Sequence, residues 1–237
     1  FFNLGKIKKE DKYHKNLIDR YYTWNKSNDA KELAEYNALA GVEGLPKPDS
    51  EHLSKPATRT NGVSVSLSPL LRHIFYINLD HRTDRRSHVQ KQLRAIGAVG
   101  ERFRAVKLAN GALGCLRSHL ACLELAQERK LPHVCVLEDD VVFTDTALFA
   151  RQISAFTHAV SDWDVLILGG NNMPPYHKLD GDYAVQVTNC QTTTAYVVQA
   201  RYFDTLIQNF RAGSDLLEKH PSNTRLYTIN AYWKRLQ

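Results

Sequence analysis

VCVLEDDVVF, residues 134–143, sets three acids between two apolar runs. Ionised carboxylates are costly to bury unless they are paired, hydrogen-bonded or holding a metal. The stretch therefore predicts a buried strand that presents Glu138, Asp139 and Asp140 at its end. Its surroundings give the fold class. Upstream, HIFYINLD (73–80) and ERFRAVKL (101–108) are β-rich, and DRRSHVQKQLRAIG (84–97) spaces Val89, Leu93 and Ile96 for a helix. GALGCLRSHLACLELAQERK (111–130) is a second helix. Downstream, Asp145 caps a helix through ALFARQISAFTHAV (147–160), and DWDVLILGG (162–170), YAVQVT (183–188) and TTAYVVQA (193–200) are strands. RYFDTLIQNFRAG (201–213) is a helix closed by Gly213. Strands alternating with helices predict an α/β sandwich with a mostly parallel central sheet, whose ligand binds at the carboxyl ends of the strands.

The first 50 residues differ. They are rich in Lys, Glu, Asp, Asn and Tyr, with weak helical patterns at 17–26 and 29–40, and read as a helical or irregular N-terminal extension. Tyr21, Tyr22 and Trp24 read as a small local core or a sugar-stacking surface. Residues 51–71, with Pro56, Pro69 and Gly62, read as a linker, and 72–237 as the main domain. The chain opens at Phe1 and its one methionine is Met173, which reads as a trimmed sequence. No stretch reaches the ~18 apolar residues of a membrane span.

Net charge is +6, which favours anionic ligands without forming a nucleic-acid-binding tail. Cys115, Cys122, Cys135 and Cys190 form no CxxC pair and no Cys/His spacing suited to zinc; they read as core residues, as in a reducing compartment.

The acids allow three readings. A helix cap is one, but Asp145 already fills that role. A phosphorelay receiver is the second, since DVLILGGNNMPP (164–175) mimics its phosphate-accepting strand; Gly169 and Gly170 occupy the accepting position and take no phosphoryl group. The third is a sugar-nucleotide site, where carboxylates at a strand end hold Mn²⁺ or Mg²⁺ against a diphosphate. Arg82, Arg85 and Arg86 after the first strand suit phosphate oxygens, and Gly111 and Gly114 open a helix whose N-terminus attracts anions.

Five motifs in order carry a resemblance: FYINLDHRTDRR (75–86), GALGCLRSHLACLELA (111–126), LEDDVVF (137–143), TTTAYVV (192–198) and YTINAYWKRLQ (227–237). Together they resemble glycosyltransferase family 25, the group of lipooligosaccharide and collagen galactosyltransferases, in its bacterial or large-virus form. The resemblance implies a GT-A type, Rossmann-like fold. It also implies a UDP-sugar donor (UDP-galactose or UDP-glucose), Mn²⁺ or Mg²⁺, inversion, and a glycan or glycoprotein acceptor, as in lipopolysaccharide biosynthesis. Cytoplasmic placement, peripheral to a membrane or free, follows as the expectation, and a homo-oligomer is compatible with it. Carried over, Glu138, Asp139 and Asp140 are the metal motif, and Asp139, Asp140 and Asn230 the catalytic positions. Asn78, Asp80, Arg82, Arg85, Gly114, Ser118, His119 and Glu138 are the donor pocket, and Gln191, Thr192 and Thr193 the acceptor side. The sequence departs from the family where Asn230 stands for an aspartate and His81 for an arginine, and where it stops at Gln237. A module that binds sugar nucleotide without turnover is the alternative. For the general base, Asp164, Asp180 and Asp215 are the acids to test.

Overall fold

Neighbouring residues of a strand face opposite sides of a sheet, and this alternation divides the core in two. The computed structural model describes residues 1–4 and 68–237. Its central sheet has eight strands: β1 (Phe2–Leu4), β2 (Ile74–Asn78), β3 (Glu101–Arg104), β4 (His133–Glu138), β5 (Val165–Ile167), β7 (Tyr176–Lys178), β8 (Ala184–Val187) and β10 (Ala195–Gln199). The spatial order is β3-β2-β4-β10-β5-β1-β8-β7, and β6 (Asn171–Asn172) pairs with β9 (Cys190–Gln191) beside it. Phe75, Ile77, Val134 and Val136 pack on one face, with Leu116, Leu123, Phe203 and Phe210. Ile74, Tyr76, Cys135 and Leu137 pack on the other, with Val89, Leu93, Ile153 and Phe156. The first layer is therefore formed by helices α2 (Gly111–Glu128) and α4 (Phe203–Lys219), the second by α1 (Thr83–Ala95) and α3 (Thr146–Ala159).

The chain order places a crevice. From β2 the chain passes through α1 to β3 on one side, then through α2 to β4 on the other side of β2, all three strands parallel. The helices that follow β2 and β3, α1 and α2, leave to opposite faces, and α/β sheets bind ligands at the carboxyl ends of such parallel strands, here those of β2 and β4. Asn78 and Glu138 end those two strands.

The sheet is mixed where a mostly parallel one was expected. β10 runs antiparallel to both β4 and β5, and β8 antiparallel to both β1 and β7. Between α3 and β10 no helix intervenes, and parallel pairing needs such a crossover. Two boundaries also moved. VVF (141–143) lies beyond the strand, which stops at Glu138. Gly213 does not close its helix; α4 runs on to Lys219, and a Cβ at Gly213 would stand 3.0 Å from the Tyr232 ring, so glycine there allows a close approach. Asp145 caps α3 as expected, accepting from the Leu148 N–H at 2.8 Å.

Residues 2–4 are the largest departure in the described part of the expected extension. They form β1 inside the sheet, parallel to β5 and antiparallel to β8. FFNL is too short to show periodicity, and only its long-range partners identify it as a strand. Tyr21, Tyr22 and Trp24 lie outside the described residues. Phe2 packs on Phe156, ring centroids 5.4 Å apart. Phe2→Ala should therefore cost about 3 kcal/mol in a denaturant melt. A peripheral tail would change stability by no more than ~0.5 kcal/mol.

Candidate active site

Strand alternation continues past the end of β4 and separates the three acids. Glu138 follows the parity of Val134 and Val136 and faces the α2 layer; Asp139 follows Cys135 and Leu137 and faces α1. The motif that reads as one metal triad in sequence thus supplies two clusters.

In the first cluster, Asp139 is buried and its oxygens are divided between two donors. Asn78 Nδ2 donates to Oδ2 at 2.7 Å, and Arg85 Nη1 donates to Oδ1 at 3.0 Å. The same Nη1 reaches Asp140 Oδ2 at 3.1 Å. Asn78 is itself held from behind by Arg102, whose Nε donates to Oδ1 at 3.0 Å. Arg102 and Arg104 then meet Asp80 at 2.7 and 2.6 Å, and the Arg102 hydrogen bond holds the Asp80 carboxyl below the usual carboxylate range. Two carboxylate oxygens converging on one cationic nitrogen define a point that already stabilises positive charge. A hard divalent cation fits this donor set, because Mg²⁺ and Mn²⁺ are commonly held by one or two carboxylates plus the substrate's phosphates. The fit uses Asp139 and Asp140 and leaves Glu138 out.

Glu138 anchors the second cluster. Its Oε1 lies 3.0 Å from Thr193 Oγ1, which lies 2.8 Å from Asn230 Oδ1. Asn230 reaches this position on α6 (Ile229–Tyr232), after the short α5 (Thr224–Tyr227). The following Trp233 is buried and donates to the Cys190 carbonyl at 3.2 Å, fixing the segment. On the α2 side, His119 Nε2 stands 3.5 Å from Glu138 Oε1, and Nδ1 is 2.9 Å from Tyr196 Oη. Burial alone would push His119 down; Cys115 and Glu138 outweigh it and push the imidazole up to about 9. Burial would likewise raise Glu138, yet His119, Thr193 and Arg85 bring its carboxyl below the ordinary value.

Other expected site residues have different employment. Ser118 is buried, donates to the Gly114 carbonyl at 2.7 Å and accepts from the Val106 N–H at 2.8 Å. Gly114 gives its own N–H to Asn110, and a Cβ there would stand 2.6 Å from the Val106 carbonyl, so packing requires the glycine. Arg82 forks onto Asp84 at the start of α1. Gln191 pairs with Asn171 in the small sheet, and Thr192 has φ of 126°, a strained region for a β-branched residue beside Thr193.

The candidate bases are remote or committed. Asp164 pairs with Arg201 and precedes β5 at the opposite end of the sheet, about 17 Å from Glu138 along the strand direction and two strands over. Asp180 follows β7, five strands from β4, or about 24 Å at sheet spacing. Asp215 is exposed on α4. Arg102, Arg104, Cys115 and Tyr196 join the two clusters without having been singled out as site residues. For Arg102 and Arg104 a signal existed: alternate basic residues ending a strand.

The family model described as Glycosyltransferase family 25 (LPS biosynthesis protein) matches residues 104–231, just over half of the chain. Procollagen galactosyltransferase 1-B of Xenopus laevis is 27% identical over 164 residues, covering 56% of this chain and 26% of that protein. A glycosyltransferase 25 family member of Anopheles gambiae is 26% identical over 162 residues, covering 54% and 27%. The chain thus spans about a quarter of the length of these relatives.

The Asn78–Asp139 contact sets a measurable coupling. Asn78→Ala leaves a buried carboxylate short of a donor and should cost about 1–3 kcal/mol. In an Asp139→Ala background the same change should cost at least about 1 kcal/mol less. Additive costs in denaturant melts of the four proteins would overturn the pairing.

Proposed function

The chain belongs to glycosyltransferase family 25, and on that premise we propose that it transfers a hexose, galactose first, from a UDP-sugar to a hydroxyl of a glycan or glycoprotein acceptor with inversion. The observation that carries the reading is the convergence of Asp139 and Asp140 on Arg85 at the carboxyl ends of β2 and β4. The proposed fold type is GT-A, which the mixed α/β/α arrangement supports. The Xenopus relative's designation as a galactosyltransferase supports galactose.

In this reading Asp139 and Asp140 would hold Mn²⁺ or Mg²⁺, which neutralises the charge gathering on a departing diphosphate. Asn78 holds Asp139 by its 2.7 Å bond, so on loading the acid would stay in place while Arg85 gives way. Arg85, half-exposed beside both acids, supplies a second positive charge to phosphate oxygens. The pair Arg102 and Arg104 keeps Asp80 ionised at the crevice rim, where a carboxylate suits ribose hydroxyls. Asn230, exposed on the far side of Glu138 and bonded to the buried Thr193, presents a neutral hydrogen-bonding group suited to an acceptor sugar.

Asn230 favours a second reading, in which the same site binds the nucleotide sugar without turnover, because an amide accepts no proton at neutral pH. Both are tested by assaying a panel of UDP-sugars with and without Mn²⁺, for hydrolysis and for transfer. Asp140→Asn, at a half-exposed position, should lower turnover on the order of 100-fold and change stability by no more than ~0.5 kcal/mol. Full activity in that variant sinks the assignment; UDP binding without turnover in the wild type selects the second reading.

A further inference from the structure

Apart from the Asp139–Asp140 pair, one group of ligand atoms converges among the described residues. The Cys115 sulfur, a ring nitrogen of His119 and a carboxylate oxygen of Glu138 all lie within 4.8 Å of one another. Cys115 and His119 are four apart on α2, so they share one face a turn apart. Glu138 reaches that face from β4 by the parity described above. The spacing of cysteines and histidines along the chain hides this set, because its third member is an acid from a separate strand.

Two details make it a built site. His119 is fully buried, and its Nε2 forms no hydrogen bond, facing Glu138 Oε1 at 3.5 Å. A buried polar atom without a hydrogen bond is destabilising, and a bound cation would satisfy it. The other nitrogen, Nδ1, is fixed 2.9 Å from Tyr196 Oη. Metal-bound histidines are oriented in this way, by an outer hydrogen bond that sets the ring and the tautomer. Glu138 has a comparable anchor in Thr193, at 3.0 Å.

We propose that Cys115, His119 and Glu138 bind a zinc-class divalent cation that clamps α2 to the end of β4. One sulfur, one nitrogen and one oxygen ligand suit a borderline-soft ion, whereas Asp139 and Asp140 offer oxygen alone. Loading releases the Cys115 thiol proton and the Nε2 proton to solvent and leaves Nε2 on the metal, with the Nδ1 proton donated to Tyr196. Three protein ligands leave a fourth position for water or an acceptor group. The clamp is separate from the donor-side pair and stands whether or not that pair holds Mn²⁺.

The test uses the full chain, stripped by chelator and titrated with Co²⁺ and then Zn²⁺. A thiolate-to-cobalt charge-transfer band should saturate at a single equivalent, disappear on Zn²⁺ addition, and be accompanied by a rise in melting temperature. Cys115→Ser should abolish the band with the far-ultraviolet circular dichroism unchanged. Tyr196→Phe should weaken cobalt binding about 10-fold or more. Asp140→Asn should leave the band intact. No band, a band that survives Cys115→Ser, or a band lost in Asp140→Asn would overturn the proposal; the first result would leave His119 and Glu138 as a buried ion pair.

Discussion

The carboxylate of Asp139 is the point on which the crevice depends. It is buried at the junction of two parallel strands and meets Asn78 from β2 and Arg85 from α1. An uncompensated charge there would be costly, and removing one partner of such a set is penalised far more than its net contribution suggests. The tie therefore locks the ends of β2 and β4 in register and fixes the first turns of α1 against them. Arg102 extends the constraint to β3 by holding Asn78 from the other side. Three strand ends and one helix start are organised around one acid. Asp140, the next residue, is thereby presented half-exposed above the crevice.

Parity does the rest. With a side-chain period of two, successive residues at a strand end point to opposite layers, and a one-residue slip would exchange them. Glu138 and Asp139 are chemically similar and adjacent, yet one enters a histidine, thiol and hydroxyl environment and the other an arginine and amide environment. Slippage would put an acid among Val89, Leu93 and their neighbours or leave His119 without an ionic partner. The two clusters thus help to specify the register of β4 as strongly as its valines do.

How much of this was legible in sequence follows from the range of each interaction. The buried strand before the acids, the α2 helix and the Asp145 cap are local patterns, and they stand where they were read. β1 was not legible, since three residues carry no period and their partners lie more than 160 positions away. The mixed sheet was underestimated because the strands after α3 are short and joined without helices. At the site, residue types identified the acids, Arg85, Asn78 and Asn230, all of which the fold gathers at the ends of β2 and β4. Sequence did not divide them between faces, because that depends on where β4 stops. Ser118 and Gly114 were read as ligand contacts from the helix start they occupy. Their partner, the 106 backbone, is visible only in three dimensions.

Hydrogen counting around Glu138 gives Asn230 a positive role. The Thr193 hydroxyl has one hydrogen and lies within bonding distance of both the Glu138 carboxylate and the Asn230 amide. A carboxylate only accepts, so the hydrogen goes to Glu138 and Thr193 must accept from its other neighbour. Asparagine meets that demand with its amide turned so that nitrogen faces Thr193, an orientation decided by the network. An aspartate at 230, the residue the family resemblance leads one to expect, would put two acceptors on one hydroxyl and a second negative charge close to Glu138. The amide removes both conflicts. It leaves the Glu138 charge to His119 and to whatever cation His119 and Cys115 help to hold. The departure from the family pattern therefore accords with a Glu138 directed inward, towards α2, and with the donor site proposed at Asp139 and Asp140 alone.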